Sequence, residues 1–325
     1  MIQLLKRTLL EPIRIGVTGA LLPIERRLLR KAGGIGVPPI FIVGPPRSGT
    51  TLVYEALISG YGFSYLSNLA HRFPKTPAAA TQLGLRWIRR HEGKFESRFG
   101  HISGWGAPNE GGAIWNRWFP REIYLEGDYV RRVPLEEVQG TIGAIAKIMG
   151  GPFLNKNVMH SVHLELLDRL FPGCVFIEIR RAPKPNIRSI ARMRLSEAEA
   201  NREGRIEWDG VKPRAWKNYE DEDFVMKACA QVFHVWEDIG WGVEKIGSDR
   251  FFRIEYETFC RTPASVITDL VRFWSDHGIE VPTKGRIPES FPVSEGKPLD
   301  PENEKRIDRG IEILWGRPSD SKVWV

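Results

Sequence analysis

A chain of 325 residues, 42% hydrophobic and 27% charged, has globular composition and ample core material, enough for one large α/β domain or two small ones. Its formal net charge of +7 favours anionic partners, namely nucleotides, nucleic acid, acidic glycans or an anionic membrane surface, unless it serves solubility alone. Zinc-finger spacing, an RNP-type aromatic motif and a concentrated Lys/Arg run are all absent, so no nucleic-acid partner is expected, and three distant cysteines (Cys174, Cys229, Cys260) exclude a disulfide framework or a CxxC site and point to a reducing, cytoplasmic setting.

Residues 1–36 are basic and apolar by turns. Glu11, Pro12 and Arg14 interrupt the apolar region too early for a signal peptide, and no stretch reaches the roughly 18 apolar residues of a membrane span. Two readings stay open. One is peripheral membrane contact through Lys6, Arg7, Arg26, Arg27, Arg30 and Lys31. The other is a helix pair packed on the domain, because Pro12 and Pro23 limit a continuous helix. A Gly/Pro hinge, Gly33 to Pro39, closes this extension, and residues 37–325 form the main domain.

Ile40 to Val43 is a short β-branched apolar run, expected to be a buried parallel strand. GPPRSGTT follows from Gly44 to Thr51, and LVYEALISG then has the spacing of an amphipathic helix stopped by Gly60. Ser64 to Pro134, rich in Trp, Gly and Pro, predicts loops and short helices over a cleft. A helix is predicted for Leu135 to Met149, a short strand from Phe153 into Asn155-Lys156-Asn157, and a helix for His160 to Phe171. A strand at Cys174 to Ile179, a helix at Asn186 to Leu195 and a long helix at Phe224 to Ile246 come next. A strand at Arg250 to Tyr256 and a helix at Ala264 to His277 follow. Alternation of this kind predicts an α/β fold, a P-loop-like parallel sheet covered by helices on both faces.

The chemistry sits first in the loop after the first strand. Backbone N–H groups ahead of a helix N-terminus make an anion cradle. The nucleoside-triphosphate version of this loop ends Gly-Lys-Ser/Thr, with Lys on the β- and γ-phosphates and the hydroxyl on magnesium. Here Thr50 stands in place of that Lys and the cation lies inside the loop at Arg47. An anion held by Arg47, the Ser48–Thr51 backbone and the Thr hydroxyls needs no metal, which argues against a kinase.

GPPRSGTTL resembles the 5′-phosphosulfate loop of sulfotransferases that use 3′-phosphoadenosine 5′-phosphosulfate (PAPS). The closest branch includes protein-tyrosine sulfotransferases and many bacterial enzymes. Two later blocks are similar to the same family in order. NKNVMHSVHLELLDRLFPGCVFIEIRRAPKPNIRSIARM carries Asn155-Lys156, Phe171-Pro172, Arg181-Ala182-Pro183 and Ser189, and FFRIEYETFCRTPASVITDLVRFW carries a strand ending in Tyr256-Glu257. The resemblance implies that Arg47, Ser48, Gly49, Thr50 and Thr51 bind the 5′-phosphosulfate. It implies that Arg181 and Ser189 bind the 3′-phosphate, that Tyr256 borders the adenine, and that Lys156 lies near the transferring sulfuryl group.

Ala182 departs from the family's Asp in that turn, and SYLSNLAHRF, Ser64 to Phe73, lacks the Glu base of the tyrosine-sulfotransferase branch. The acceptor is a hydroxyl or an amine, and a general base must come from elsewhere. Glu110, ahead of an aromatic helix, resembles a Pro-x-Glu element of bacterial sulfotransferases, and a carboxylate stabilised by a helix dipole is its structural counterpart. His160 and His163 follow Lys156 on one helical face and are the other candidates. Trp105, Trp115 and Trp118 divide between an acceptor platform and core packing. A nucleotide kinase, a non-catalytic PAPS- or polyanion-binding module and a membrane-associated scaffold are the competing classes. Acceptor identity and oligomeric state stay open.

Overall fold

The computed structural model describes residues 2–85, 93, 95, 102–120, 122–201 and 208–316, the side chains of 2–11, 13, 197 and 199–201 excepted. Four strands form one parallel sheet: β1 (Ile40–Val43), β2 (Leu154–Lys156), β3 (Val175–Arg180) and β4 (Phe251–Glu255), in the order β2-β1-β3-β4. Ile40 pairs with Leu154 on one side and Val175 on the other, and Phe176 with Phe251. β1, β2 and all of β3 but its last residue are buried, which is why β1 reads as a continuous apolar run and β3 as one interrupted only by Glu178, rather than as alternating patterns; β2, Leu-Asn-Lys, buries two polar side chains instead. The order reverses at β1, so the crevice beyond the C-terminal ends of β1 and β3 is where a ligand site is expected.

Helices flank the sheet. They are α1 (Ile2–Ala32), α2 (Thr50–Gly60), α3 (Asn68–Arg72), α4 (Pro77–Gly84), α5 (Gly112–Trp115), α6 (Leu135–Met149), α7 (Leu164–Leu170), α8 (Pro183–Asn201), α9 (Phe224–Ile246), α10 (Tyr256–Arg261), α11 (Pro263–Asp276) and α12 (Pro301–Trp315). The expected helices at 135–149 and 224–246 and the short helices of 64–134 are present. The helix expected over His160 to Phe171 is instead a 3₁₀ turn, Val158–Val162, and α7, with the break at His163, whose φ of −127° is not helical. α8 begins at Pro183, ahead of the expected Asn186, because proline is suited to a first helical turn.

The N-terminal extension corrects the expectation of two helices. α1 runs unbroken through Pro12 and Pro23. Pro23 leaves the Gly19 carbonyl without its helical donor, but Gly19 is exposed and water can serve it. Tertiary contacts hold the C-terminal part in place. Glu25 is buried and accepts from the N–H groups of Ala78 (3.2 Å) and Ala79 (2.7 Å), where Thr76, the N-cap of α4, makes no side-chain cap. Lys147 of α6 donates to the terminal carbonyls of Lys31 and Ala32. Of the cations expected to face a membrane, Arg26, Arg27, Arg30 and Lys31 are exposed, while the side chains of Lys6 and Arg7 lie outside the described residues. No helix among the described residues is long and apolar enough to cross a membrane.

Burial pushes the Glu25 carboxyl up from 4.5 to about 6, against the two N–H groups that favour its charge. Between those values the folded state holds more protons than the unfolded state, so this group's stabilisation is full below about 4.5 and lost as pH rises through about 6. Its loss is worth about 2 kcal/mol. Glu25→Gln should therefore remove a downward slope in Tm between pH 4.5 and 6.5 that the parent chain shows. Parallel Tm curves for the two proteins would refute the assignment.

Candidate active site

The site is built at the C-terminal ends of the parallel strands. After β1 the chain turns at Gly44, where a Cβ would lie 2.6 Å from the Ile179 carbonyl oxygen of β3, so only glycine permits the approach. Ser161 pins this turn: its Oγ accepts from Gly44 N (2.9 Å) and donates to Gly44 O (3.1 Å). Arg47 then adopts φ 65°, a left-handed conformation costly for a non-glycine residue. Neighbouring side chains hold it there. Arg181 Nη1 donates to the Arg47 carbonyl (2.7 Å), Asn186 Nδ2 to the Pro46 carbonyl (2.7 Å), and Arg47 Nε to Ser189 Oγ (3.1 Å). Gly49, at φ 96°, caps α2, with the Tyr256 ring packed directly against it.

Two guanidinium groups thus share one small volume. Burial lowers the pKa of both Arg47 and Arg181, and Arg181's charge lowers that of Arg47 further; both stay cationic. The Arg181 guanidinium lies 4.9 Å from the centroid of the Tyr256 ring. The extended segment after α11 closes over this end: Ser294 N donates to the Tyr256 hydroxyl (3.2 Å), and Arg181 Nη2 donates to the Ser294 carbonyl. Burial raises the Tyr256 pKa, so the phenol is neutral. The turn after β3, where the resemblance implied an aspartate and the chain has Ala182, receives a carboxylate from another element, since Ala182 N donates to Glu257 Oε1 (3.2 Å). Among the described residues, Ser48 Oγ, Arg181 Nε and Asn186 Oδ1 are buried around the loop without a hydrogen-bond partner. Two of these, Ser48 Oγ and Arg181 Nε, are donors, and unpaired donors beside two cations suit an anionic ligand; Asn186 Oδ1 is an acceptor.

A cavity of about 330 Å³ opens on this arrangement. Arg47, Gly49, Thr50, Thr51, Glu110, Lys156, Arg181, Ser189 and Tyr256 line it together, although they come from six separate stretches of chain. Ser48 lies buried behind the loop. Lys156, at the end of β2, has 4% of its side chain exposed and is ion-paired with Glu110, which is 37% exposed. The remaining wall includes Leu52, Val158, Met159, Met193 and Val211, with Asp209 as a further carboxylate.

His160 and His163, proposed from sequence as alternative bases, do not line this cavity. Both are buried in an aromatic cluster. The His160 ring packs edge-on against Phe41 and Trp115 and meets Asn155 Oδ1 at 3.1 Å, while His163 Nε2 donates to the Ile123 carbonyl (2.8 Å). Burial pushes the His160 pKa well below its usual value and that of His163 down to about 4, so both rings are neutral near pH 7. Of the three tryptophans, Trp115 and Trp118 are core residues and Trp105 is 59% exposed. Sequence reasoning missed Ser161, Ser294 and the loop at Asp209–Val211. Gln231 Nε2 holds that loop through the carbonyls of Asp209 (2.9 Å) and Val211 (2.8 Å). Their local sequences carry no signal; only the fold brings them here.

The sulfotransferase family model matches residues 38–276. Among solved structures, the chain is similar to sulfotransferase STF9 from Mycobacterium avium, at 17% identity and a TM-score of 0.52 over 91% of this chain and 72% of that one. STF1 from Mycobacterium tuberculosis is 13% identical at a TM-score of 0.47, covering 78% and 72% of the two chains. A sulfotransferase from Alicyclobacillus acidocaldarius is 15% identical at a TM-score of 0.41, covering 89% and 99%. At these identities the STF9 likeness is one of fold. No curated protein matches the sequence.

The loop geometry makes one substitution diagnostic. A Cβ on Gly49 would meet Tyr256 Cδ2 at 2.2 Å and would sit at φ 96°. Gly49→Ala should lower stability by about 1–3 kcal/mol, read as a shift of the denaturant midpoint at constant slope. An unshifted midpoint would mean that the loop relaxes without the ring.

Proposed function

The chain belongs to the sulfotransferase family, and we propose that its donor is PAPS and its acceptor a hydroxyl or amine. The observation that carries this reading is the convergence of Arg47, Thr50, Thr51, Arg181, Ser189, Tyr256, Lys156 and Glu110 on one cavity. PAPS supplies an activated sulfuryl group and, in its 3′-phosphate, a second anionic handle. The loop N–H groups, Arg47 and the Thr hydroxyls fit the 5′ end, and Arg181 with Ser189 fits the 3′-phosphate. Tyr256 offers a flat apolar face to the base. The loop lacks the Lys that accompanies a metal-bound triphosphate, so no metal is required in this reading.

Lys156 and Glu110 divide the remaining work. Charge builds on the sulfuryl oxygens and the leaving phosphate as the acceptor bond forms, and a fixed ammonium lowers that cost most when held away from water. Lys156 is such a cation. Glu110 is the more exposed partner and takes the acceptor proton, leaving a neutral acid beside Lys156. Exposed Arg26, Arg27, Arg30 and Lys31, with the exposed Ile15, Val17 and Ile24, support peripheral contact of the N-terminal extension with an anionic surface.

Release of adenosine 3′,5′-bisphosphate from PAPS in the presence of candidate acceptors tests the activity, and binding without release would mark a non-catalytic module. Calorimetric titration should give the same PAPS affinity with and without excess chelator. Arg181→Ala should weaken PAPS by about 2–4 kcal/mol and an analogue without the 3′-phosphate by a smaller amount, the part that comes from the loop Arg181 supports through the Arg47 carbonyl. Equal losses for both ligands would remove Arg181 from the 3′-phosphate.

Glu110→Gln should preserve PAPS affinity and lower kcat by about 10²–10⁴-fold, and the acidic limb of the kcat/KM profile should vanish with it. Lower thermal stability with unchanged turnover per folded molecule would make Glu110 structural. An acidic limb that survives in the Gln variant would assign the base elsewhere.

A further inference from the structure

Glu110 lies on a stretch of chain without regular structure, yet it is held on two sides by consecutive residues of one strand end. Lys156 Nζ meets its carboxylate. Its backbone carbonyl oxygen accepts from Asn155 Nδ2 and from Asn157 Nδ2, each at 3.4 Å. Gly111 follows at φ 73°, where a Cβ would lie 2.1 Å from Leu66 Cδ1, so the path of the chain beyond Glu110 is also fixed.

Asn155 is the member of this set with the least freedom. It is fully buried and paired in register with Phe41 of β1. A side-chain amide can be turned two ways, and here its neighbours decide which. Trp115 Nε1 is a donor only and lies 3.1 Å from Asn155 Oδ1, so the oxygen faces the indole and the NH₂ faces Glu110. His160 Nε2 lies 3.1 Å from the same oxygen, which places the ring proton on Nε2. The two aromatic donors orient an amide that in turn orients the Glu110 backbone.

We propose that Asn155 is a positioning residue, which, aimed by Trp115 and His160, holds the Glu110 backbone so that its carboxylate stays at Lys156 and over the cavity. The inference rests on the reading of Glu110 as the base. It gives His160 a place in the reaction without contact with the reactants. A displacement of about 1 Å at a reacting group can cost about 100-fold in rate, so a clamp on an otherwise irregular segment has a kinetic effect out of proportion to its bonds.

A double-mutant cycle on the full-length chain tests it, with PAPS turnover read as bisphosphate release using 2-naphthol as acceptor, and water where 2-naphthol is not sulfated. Asn155→Ala should lower kcat by about 10- to 100-fold with KM for PAPS within about twofold. In the Glu110→Gln background the same substitution should change kcat by less than about twofold, because the residue it positions has lost its function. Equal falls in both backgrounds, or a change confined to KM, would overturn the proposal. A crystal structure of Asn155→Ala should show Glu110 displaced from Lys156 with the sheet unchanged; an unmoved Glu110 would overturn it as well. If the Ala variant does not fold, Trp115→Phe, which removes one of the two donors that aim the amide, should give a smaller fall of about 3- to 10-fold that also disappears beside Glu110→Gln. If Glu110→Gln alone leaves kcat intact, the base reading fails, and the position of Glu110 in the Asn155→Ala structure still decides whether Asn155 holds it.

Discussion

The hydrogen bond from Arg181 to the carbonyl of Arg47 is the contact on which the rest of the site depends. It ties the residue after β3 to the loop after β1, so the two strand ends cannot separate without breaking it. It also supports the one non-glycine residue of the loop in a left-handed conformation. Without it, Arg47 would relax toward negative φ and its carbonyl would turn, taking the following N–H groups with it. The cost of this arrangement is electrostatic. Two guanidinium groups are brought together in a half-buried place, and burial and mutual repulsion both lower the Arg47 pKa. Arg181 offsets part of that through Tyr256 and Glu257 nearby. A dianion placed between the two cations would offset the remainder and turn those unfavourable terms into binding energy.

Parallel topology explains why so few elements suffice. Every strand of the sheet points the same way, so the residues that follow β1, β2, β3 and β4 arrive at one edge. The loop at Gly44–Thr51, Lys156, Arg181 and Tyr256 are all strand-end residues. Glu110, Ser189 and Ser294 reach the edge by other routes, and each is tied to a strand-end residue: Glu110 to Lys156, Ser189 to Arg47, and Ser294 to Arg181 and Tyr256. The rigid part of the site and the sheet core are therefore one construction, and a core mutation that shifts a strand would shift a cation.

What could be read from the sequence follows the same division. Strands buried on both faces announce themselves as short apolar runs, so β1 and β3 are legible to within a residue, and β4, half-buried and carrying Arg253 and Glu255, is legible from its Phe-Phe and Ile254. α6 and α9 were legible because each carries a long one-sided apolar pattern. The loop cation at Arg47 was legible because its position is set by local spacing. The prolines of α1 suggest a break, but the helix runs through both; its C-terminal part is held by Glu25 accepting from the α4 N–H groups and by Lys147 donating to its last carbonyls, contacts between residues far apart in sequence. The spacing of His160 and His163 predicts one helical face, but His163 is not helical and both rings turn into the core. α12 escaped notice because, between its charged residues, it buries only Ile307, Gly310 and Ile311.

The cavity's two sides are supported differently, and this bears on how specificity can vary. The cationic side is held by the sheet and by multiple bonds to buried side chains. The wall at Asp209–Val211 is a loop whose carbonyls are held by Gln231, itself bonded to Arg194, and by the Trp208 indole N–H donating to Val211. These anchors lie on α8, α9 and the loop itself, none of them on a strand. Substitutions at Asp209 or Val211 can thus change the size and polarity of that wall while Gln231 keeps the loop in place. The neighbouring Leu52, Val158, Met159 and Met193 contribute apolar surface of adaptable shape. A fold of this kind can hold its cationic end constant and alter what it admits beside it, because the forces that fix the two ends are separate.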